Sequence, residues 1–319
     1  MKPRRQIRVM LCKPRLDIPA RLALAGAMVA VAGLVAGCGR NGAPAHDTTG
    51  PSANLVDLPA RGDRMKVGVA DRWSDGNIWL ILSDGTWVRQ LTSLPGTEGE
   101  MSWSPDGRQI IFDANDGIYV IGIDGAALHK VVSLSNWVGH GPAWSPTADL
   151  ILLTDGRLGT MRPDGTELHL LPGSVAGGHG SWSPDGARFA FMGTGPIQPW
   201  DIFTADADGS NVRNLTHNTF YESSPAWSPD GKLIAFGAEP ANSRDVGVLV
   251  TTDIFAMNPD GTRAMNITNG DPATPGFPEW LPDGRLSFVT QAGELWLTDA
   301  DGGRPQMIAT GCGPVAWRP

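Results

Sequence analysis

Cysteine is scarce in this chain: there are three in 319 residues, Cys12, Cys38 and Cys312. Two fall within the first 38 residues, so only Cys312 is left in the body of the chain, and no disulfide can be closed there. Basic residues are also few, 25 Lys and Arg against 33 Asp and Glu, for a formal net charge of −8. Seven of the basic residues and one acidic residue lie in the first 37 positions, which leaves the rest more acidic still. That balance disfavours nucleic acid as a partner, since phosphate binding depends on clustered Lys and Arg. It does not demand a basic partner, because many aspartates stand in Asp-Gly turns that backbone geometry explains. No long helical pattern follows residue 40. A Gly-x-Ser-x-Gly elbow, a phosphate loop and a dinucleotide fingerprint are all missing, which removes the usual hydrolase and nucleotide chemistries.

The apolar run "LALAGAMVAVAGLV" is too short for a comfortable membrane span. It follows a basic stretch (Lys2, Arg4, Arg5, Arg8, Lys13, Arg15, Arg21) and ends in "LVAGC", the pattern of an export signal. This end resembles the bacterial lipoprotein lipobox, which implies cleavage after Gly37 and a lipid on Cys38. Translation could start at Met1 or Met10. Residues 1–37 are thus expected to be a signal peptide. Residues 38–64, rich in Gly, Pro, Ala and polar residues, read as the lipidated cysteine and a tether.

Glycine (41), proline (26) and tryptophan (12) are plentiful, and they are arranged with a period of about 40 residues. The phrase Trp-Ser-Pro-Asp-Gly or a close variant begins at Trp103, Trp144, Trp182, Trp227 and Trp280, and is cut short at Trp317. In Ser228-Pro229-Asp230-Gly231 each residue type suits its slot of a type I turn: an accepting serine, a proline with preset φ, an aspartate, and a glycine able to take φ > 0. Each phrase is followed by two apolar runs, a second Asp-Gly turn and a closing phrase such as "VRNLT". Four strands per unit is the composition of a propeller blade. Residues 66–92 supply three strands without the opening phrase, and "GPVAW" at the end supplies one strand with nothing after it. Joined, they complete a sixth blade. The expected fold is therefore an all-β, six-bladed propeller over residues 65–319, its ring closed by pairing of the N- and C-terminal strands.

The stretch "PAWSPDGKLIAF…DIFAMNPDGTRAMNIT" resembles the WD-repeat-like β-propeller repeat of the TolB family, and the resemblance runs over residues 65–319. It implies the propeller, and it implies much less about function. TolB itself carries an N-terminal α/β domain and no lipid, whereas residues 39–64 are too short for such a domain.

Strand order puts the Ser-Pro-Asp-Gly turns and the later Asp-Gly turns on one side of the disc. The less regular loops lie on the other side, where binding usually resides. On that variable face Trp73, Trp137, Trp200, Tyr221, Arg244 and Phe277 suit a protein interface or a carbohydrate platform; the competing reading is that they pack loops against blades. Glu100, His140, His179 and Glu222 stand three to five residues before successive blade-start tryptophans. Two imidazoles with carboxylates at a channel mouth could bind a divalent metal, and oligogalacturonate lyases, which resemble this chain in repeat, use such a site. "TADADGSN" lacks the first and twelfth ligands of a calcium loop. Asn214-Leu-Thr216 and Asn266-Ile-Thr268 fit a glycosylation pattern but coincide with the blade's own closing phrase. The sequence reads as a monomeric, exported, lipid-anchored binding module for a protein or envelope glycan, without a cofactor. The alternative is a lyase-type enzyme acting on a polysaccharide through a metal.

Overall fold

The computed structural model describes residues 65–72, 74–94, 98–114, 116–133, 141–154, 158–171, 177–194, 200–240, 252–270 and 275–319. The signal segment, Cys38, the tether, Trp73, Trp137, His140 and Arg244 lie outside the described residues. Among the described residues, twenty-four strands form six antiparallel sheets of four. The inner strands of the six blades are, from first to sixth, Cys312–Trp317, Glu98–Trp103, Ala143–Trp144, Gly177–Trp182, Phe220–Trp227 and Pro275–Trp280. Each meets the inner strand of the next blade, and the sixth meets the first, so the ring is closed.

Closure follows the expected route. Cys312–Trp317 pairs antiparallel with Val67–Arg72, setting Gly68 opposite Trp317 and Val69 opposite Ala316. Gly68 is needed there, since a Cβ on it would stand 2.8 Å from the Trp317 ring. Val67–Arg72 is thereby paired on both sides, and the C-terminal strand becomes the inner strand of the first blade.

The turn phrase behaves as its residues dictate. The Gly231 amide donates to the Ser228 carbonyl at 2.9 Å, and Gly231 takes φ 71°. Ser228 Oγ donates to Asp230 Oδ1 at 2.8 Å and accepts from the Leu233 amide at 2.9 Å, tying the turn to the strand after it. Ser104 with Asp106 and Ser183 with Asp185 repeat the contact. The third blade, whose phrase is Ser145-Pro146-Thr147-Ala148, lacks the aspartate and glycine and has the shortest strands.

Tryptophan seals blade to blade. All six blade-start tryptophans are buried. The indole N–H of Trp103, Trp182 and Trp280 donates to the carbonyl of Ala316, Ala143 and Ala226 in the preceding blade, at 3.0 to 3.1 Å. Trp317 instead donates to Ser287 Oγ at 2.8 Å, and that hydroxyl donates on to the Glu279 carbonyl. The apolar core is correspondingly divided into six slabs, each built from two adjacent blades. Phe189 and Phe191, for example, pack with Leu152 and Trp182 between the third and fourth blades.

The closing phrase also has a structural job. Thr216 and Thr268 accept the amides of Ile202 and Ile254 through Oγ1 at 2.9 and 3.0 Å, and Asn214 and Asn266 donate to Asp201 and Asp253. The Asn-x-Thr spelling is thus a clasp between the third and fourth strands of a blade.

Candidate functional site

The six inner strands surround a central channel with a cavity volume of about 510 Å³. Counting from the tryptophan of each blade shows what lines it. Three residues before stand Pro314, Glu100, Gly141, His179, Ser224 and Phe277, which form the mouth on the variable face. Two residues after stand Pro105, Pro146, Pro184, Pro229, Pro282 and Pro319, which form the opposite mouth.

The side chains at the variable mouth are placed there by the backbone. Pairing registers slip just at this position in the second, fourth, fifth and sixth blades, as β-bulges. At the bulge His179, Ser224 and Phe277 adopt φ of 50°, 51° and 50°, and Gly141 takes 75°. The left-handed region disfavours side chains by roughly 1 kcal/mol or more each, and bulges of this kind re-aim a side chain near functional sites. Large side chains come from alternate blades: Glu100, His179 and Phe277 from the second, fourth and sixth, with Gly, Ser and Pro between them. His179 Nδ1 meets Glu100 Oε1, and the imidazole lies 6.1 Å from the Phe277 ring at 51°. Phe277 keeps 41% of its surface exposed. A carboxylate, an imidazole and an aromatic ring therefore converge over the channel.

Deeper by two residues along the strand, the corresponding positions hold Ser102, Ala143, Ser181, Ala226, Glu279 and Ala316. The serines serve the ring, Ser102 and Ser181 each accepting the amide of the next blade's tryptophan at 3.0 Å. Glu279 is different. Its carboxyl lines the channel, and burial alone pushes its pKa up to about 8. Among the described residues no donor or cation reaches that carboxyl, and the lining contains neither Lys nor Arg.

The residues expected from sequence are distributed as follows. Glu100 and His179 are brought together, and Phe277 sits beside them rather than on an outlying loop. Glu222 is elsewhere: five residues before Trp227 and beyond the bulge, it is buried within the fifth blade, away from the channel. There its Oε2 accepts from Thr216 Oγ1 at 3.3 Å, and desolvation together with nearby Asp201 pushes its pKa up to about 7. Its Oε1 and Asp201 Oδ1 have no hydrogen-bond partner. Among the described residues no group of three or more His, Cys, Asp or Glu is placed to hold a metal ion. Trp200, 36% exposed, directly precedes the third strand of the fourth blade, and its carbonyl accepts the Glu222 amide of the fifth blade at 3.0 Å; Tyr221, partly exposed, lies near the start of the fifth blade's inner strand. Glu279 is the channel residue that sequence reasoning passed over. Aligning the residue before each tryptophan, Ser, Ala, Ser, Ala, Glu, Ala, would have singled it out.

Six closed four-stranded blades around a channel, with a polar-aromatic cluster at one mouth, define a β-propeller. Comparison with known proteins agrees. No protein-family model matches the chain. An uncharacterised protein of Agrobacterium fabrum is 26% identical over 237 residues, 65% of this chain and 74% of that protein. Among solved structures, TolB from Acinetobacter baumannii is similar with a TM-score of 0.65 at 18% identity, over 80% of this chain and 66% of that one. A chain of the nidogen/laminin complex matches with a TM-score of 0.65 at 13% identity, over 80% and 98%. An oligogalacturonate lyase in complex with manganese matches with a TM-score of 0.52 at 16% identity, over 77% and 78%. The chain shares the six-bladed β-propeller fold of TolB.

Proposed function

We propose that the chain is an extracytoplasmic binding module, held to a membrane by lipid on Cys38, that captures a protein partner on its variable face. The observation that carries this reading is the mouth cluster. Three side chains from alternate blades meet over the channel, His179 and Phe277 turned there by left-handed φ at their bulges and Glu100 by a slipped register, and Phe277 is left exposed among them. Strain of this sort persists where a site needs particular side chains in place, and an exposed aromatic beside a charged pair is the composition of an interface anchor. Trp200 and Tyr221 extend the surface outward. The likeness to a propeller solved in a protein complex supports a protein partner over a glycan.

Replacing Phe277 or Trp200 with Ala is expected to weaken capture of a cell-envelope partner, by about 2 kcal/mol for a central anchor. Pull-down from envelope extract with purified variants measures this, and undiminished capture by both would count against the interface. In the same strain Cys38→Ala should shift the protein from membrane to soluble fraction, because the lipid is its proposed anchor.

The second reading, a metal-dependent enzyme acting on a polysaccharide, rests on His179 lying beside Glu100 and on the likeness to the manganese-bound lyase. Stoichiometric bound metal, lost in His179→Ala, would favour it.

A further inference from the structure

We propose that the waist of the channel is a binding site for an alkylammonium group, with Glu279 as its counter-ion. Five blades place serine or alanine just before their tryptophan, and these side chains suffice to build the ring. The glutamate of the sixth blade therefore has no part in the repeat's architecture. The Ser287 hydroxyl takes its carbonyl and relays it to Trp317, which leaves the carboxyl itself uncommitted.

Three features define the ligand. Its charge is positive, because among the described residues Glu279 faces a lining without Lys or Arg, and the other ionisable side chains of that lining, Glu100 and His179, are paired with each other at the mouth. A half-buried carboxyl in the channel wall, desolvated and without a counter-ion among the described residues, is held up near pKa 8, and an arriving cation supplies what is missing. The ligand is organic, since one carboxylate offers two oxygens where calcium takes six to eight and structural zinc four ligands. Its body is largely apolar and slender, because the rest of the wall is mostly proline, tryptophan and alanine, with small serines and glycines between them. A hydrocarbon chain can lie along that wall while its charged end is neutralised, and Phe277 lies roughly 7 Å further out along the strand, able to cover the chain. A volume of about 510 Å³ is that of a small-molecule site. This site goes beyond the capture surface proposed above and stands or falls independently of it.

The shared chemistry, an ammonium on an alkyl chain, belongs to free diamines and to lysine side chains alike. Isothermal titration of the full-length protein with pentane-1,5-diamine and with Nα-acetyl-lysine methylamide separates the two sources, and pentane-1,5-diol is the uncharged control. At least one amine is expected to bind and the diol to give no heat; the diamine alone responding assigns the site to free amines, and the lysine derivative alone assigns it to a partner's lysine. Glu279→Gln should lower amine affinity by about tenfold or more while melting no lower than the wild type, since it removes a desolvated ionisable carboxyl. Silence from both amines, equal binding of the diol, or undiminished amine binding by Glu279→Gln overturns the proposal. So does heat from manganese chloride that Glu279→Gln abolishes while the amines stay silent.

Discussion

A missing side chain separates Gly141 from counterparts that share its left-handed backbone. His179, Ser224 and Phe277 hold left-handed φ at the equivalent position despite their side chains, whereas Gly141 does so freely and lies against the Glu100 carboxylate, into which a Cβ would run. Gly141→Ala is therefore expected to destabilise the fold by about 1 to 2 kcal/mol and to push Glu100 away from His179. Urea denaturation reads the first effect, and the imidazole titration of His179 by NMR reads the second. The same position shows where sequence reading stops. Glu100 and His179 were recognisable as candidates because, with His140 and Glu222, they offer ligand chemistry three to five residues before a blade-start tryptophan. Glu222 has the right chemistry at the wrong offset, and the bulge between it and Trp227 decides that it faces the blade interior. An offset in sequence does not reveal a bulge, because the extra residue looks like any other strand residue.

Blades are the level at which the sequence was most readable. Turn residues, apolar runs and tryptophans recur in fixed order, and each is explained by a local bond: serine to aspartate within the turn, threonine to the third strand's amide, indole to the preceding blade's carbonyl. The repeat also exposed the incomplete ends, from which the mixed first blade follows. What the sequence did not specify was which side chains meet across the channel, since residues from blades two apart are related only through the curvature of the ring. Removing Gly313 to Pro319 should make the whole domain melt earlier in one transition, because Val67–Arg72 loses its partner strand and Trp103 loses the carbonyl its indole uses. Calorimetry checks this, and an unchanged transition would show that the seam adds nothing to the ring.

For the molecule as a whole, two sets of carboxyls oppose each other in pH. Asp106, Asp185 and Asp230 are held below the ordinary carboxylate range, by their turn serines in the first two and by Lys232 and then Ser228 for Asp230, which reaches about 2. Folding favours their ionised forms, so the stability they lend is complete above pH 4 or so and disappears as pH falls toward 2. Asp71, Glu222 and Glu279 are pushed up to about 6, 7 and 8, chiefly by burial. Folding favours their protonated forms, so stability drops as pH rises from the unfolded value near 4 through those values. Thermal melts should accordingly peak at mildly acidic pH and decline toward pH 8, and the double variant Glu222→Gln, Glu279→Gln should flatten the alkaline side alone. The seam between the two chain ends has a further consequence, one of timing. The first blade is begun by Val67–Arg72 and finished by Cys312–Trp317, so during synthesis the inner edge of Val67–Arg72 stays unpaired until the final strand arrives. Every other blade can assemble from neighbouring sequence, but the ring locks only at the end. Until then the chain is a row of stacked sheets with an open flank, vulnerable to aggregation and dependent on shielding by the machinery that handles it.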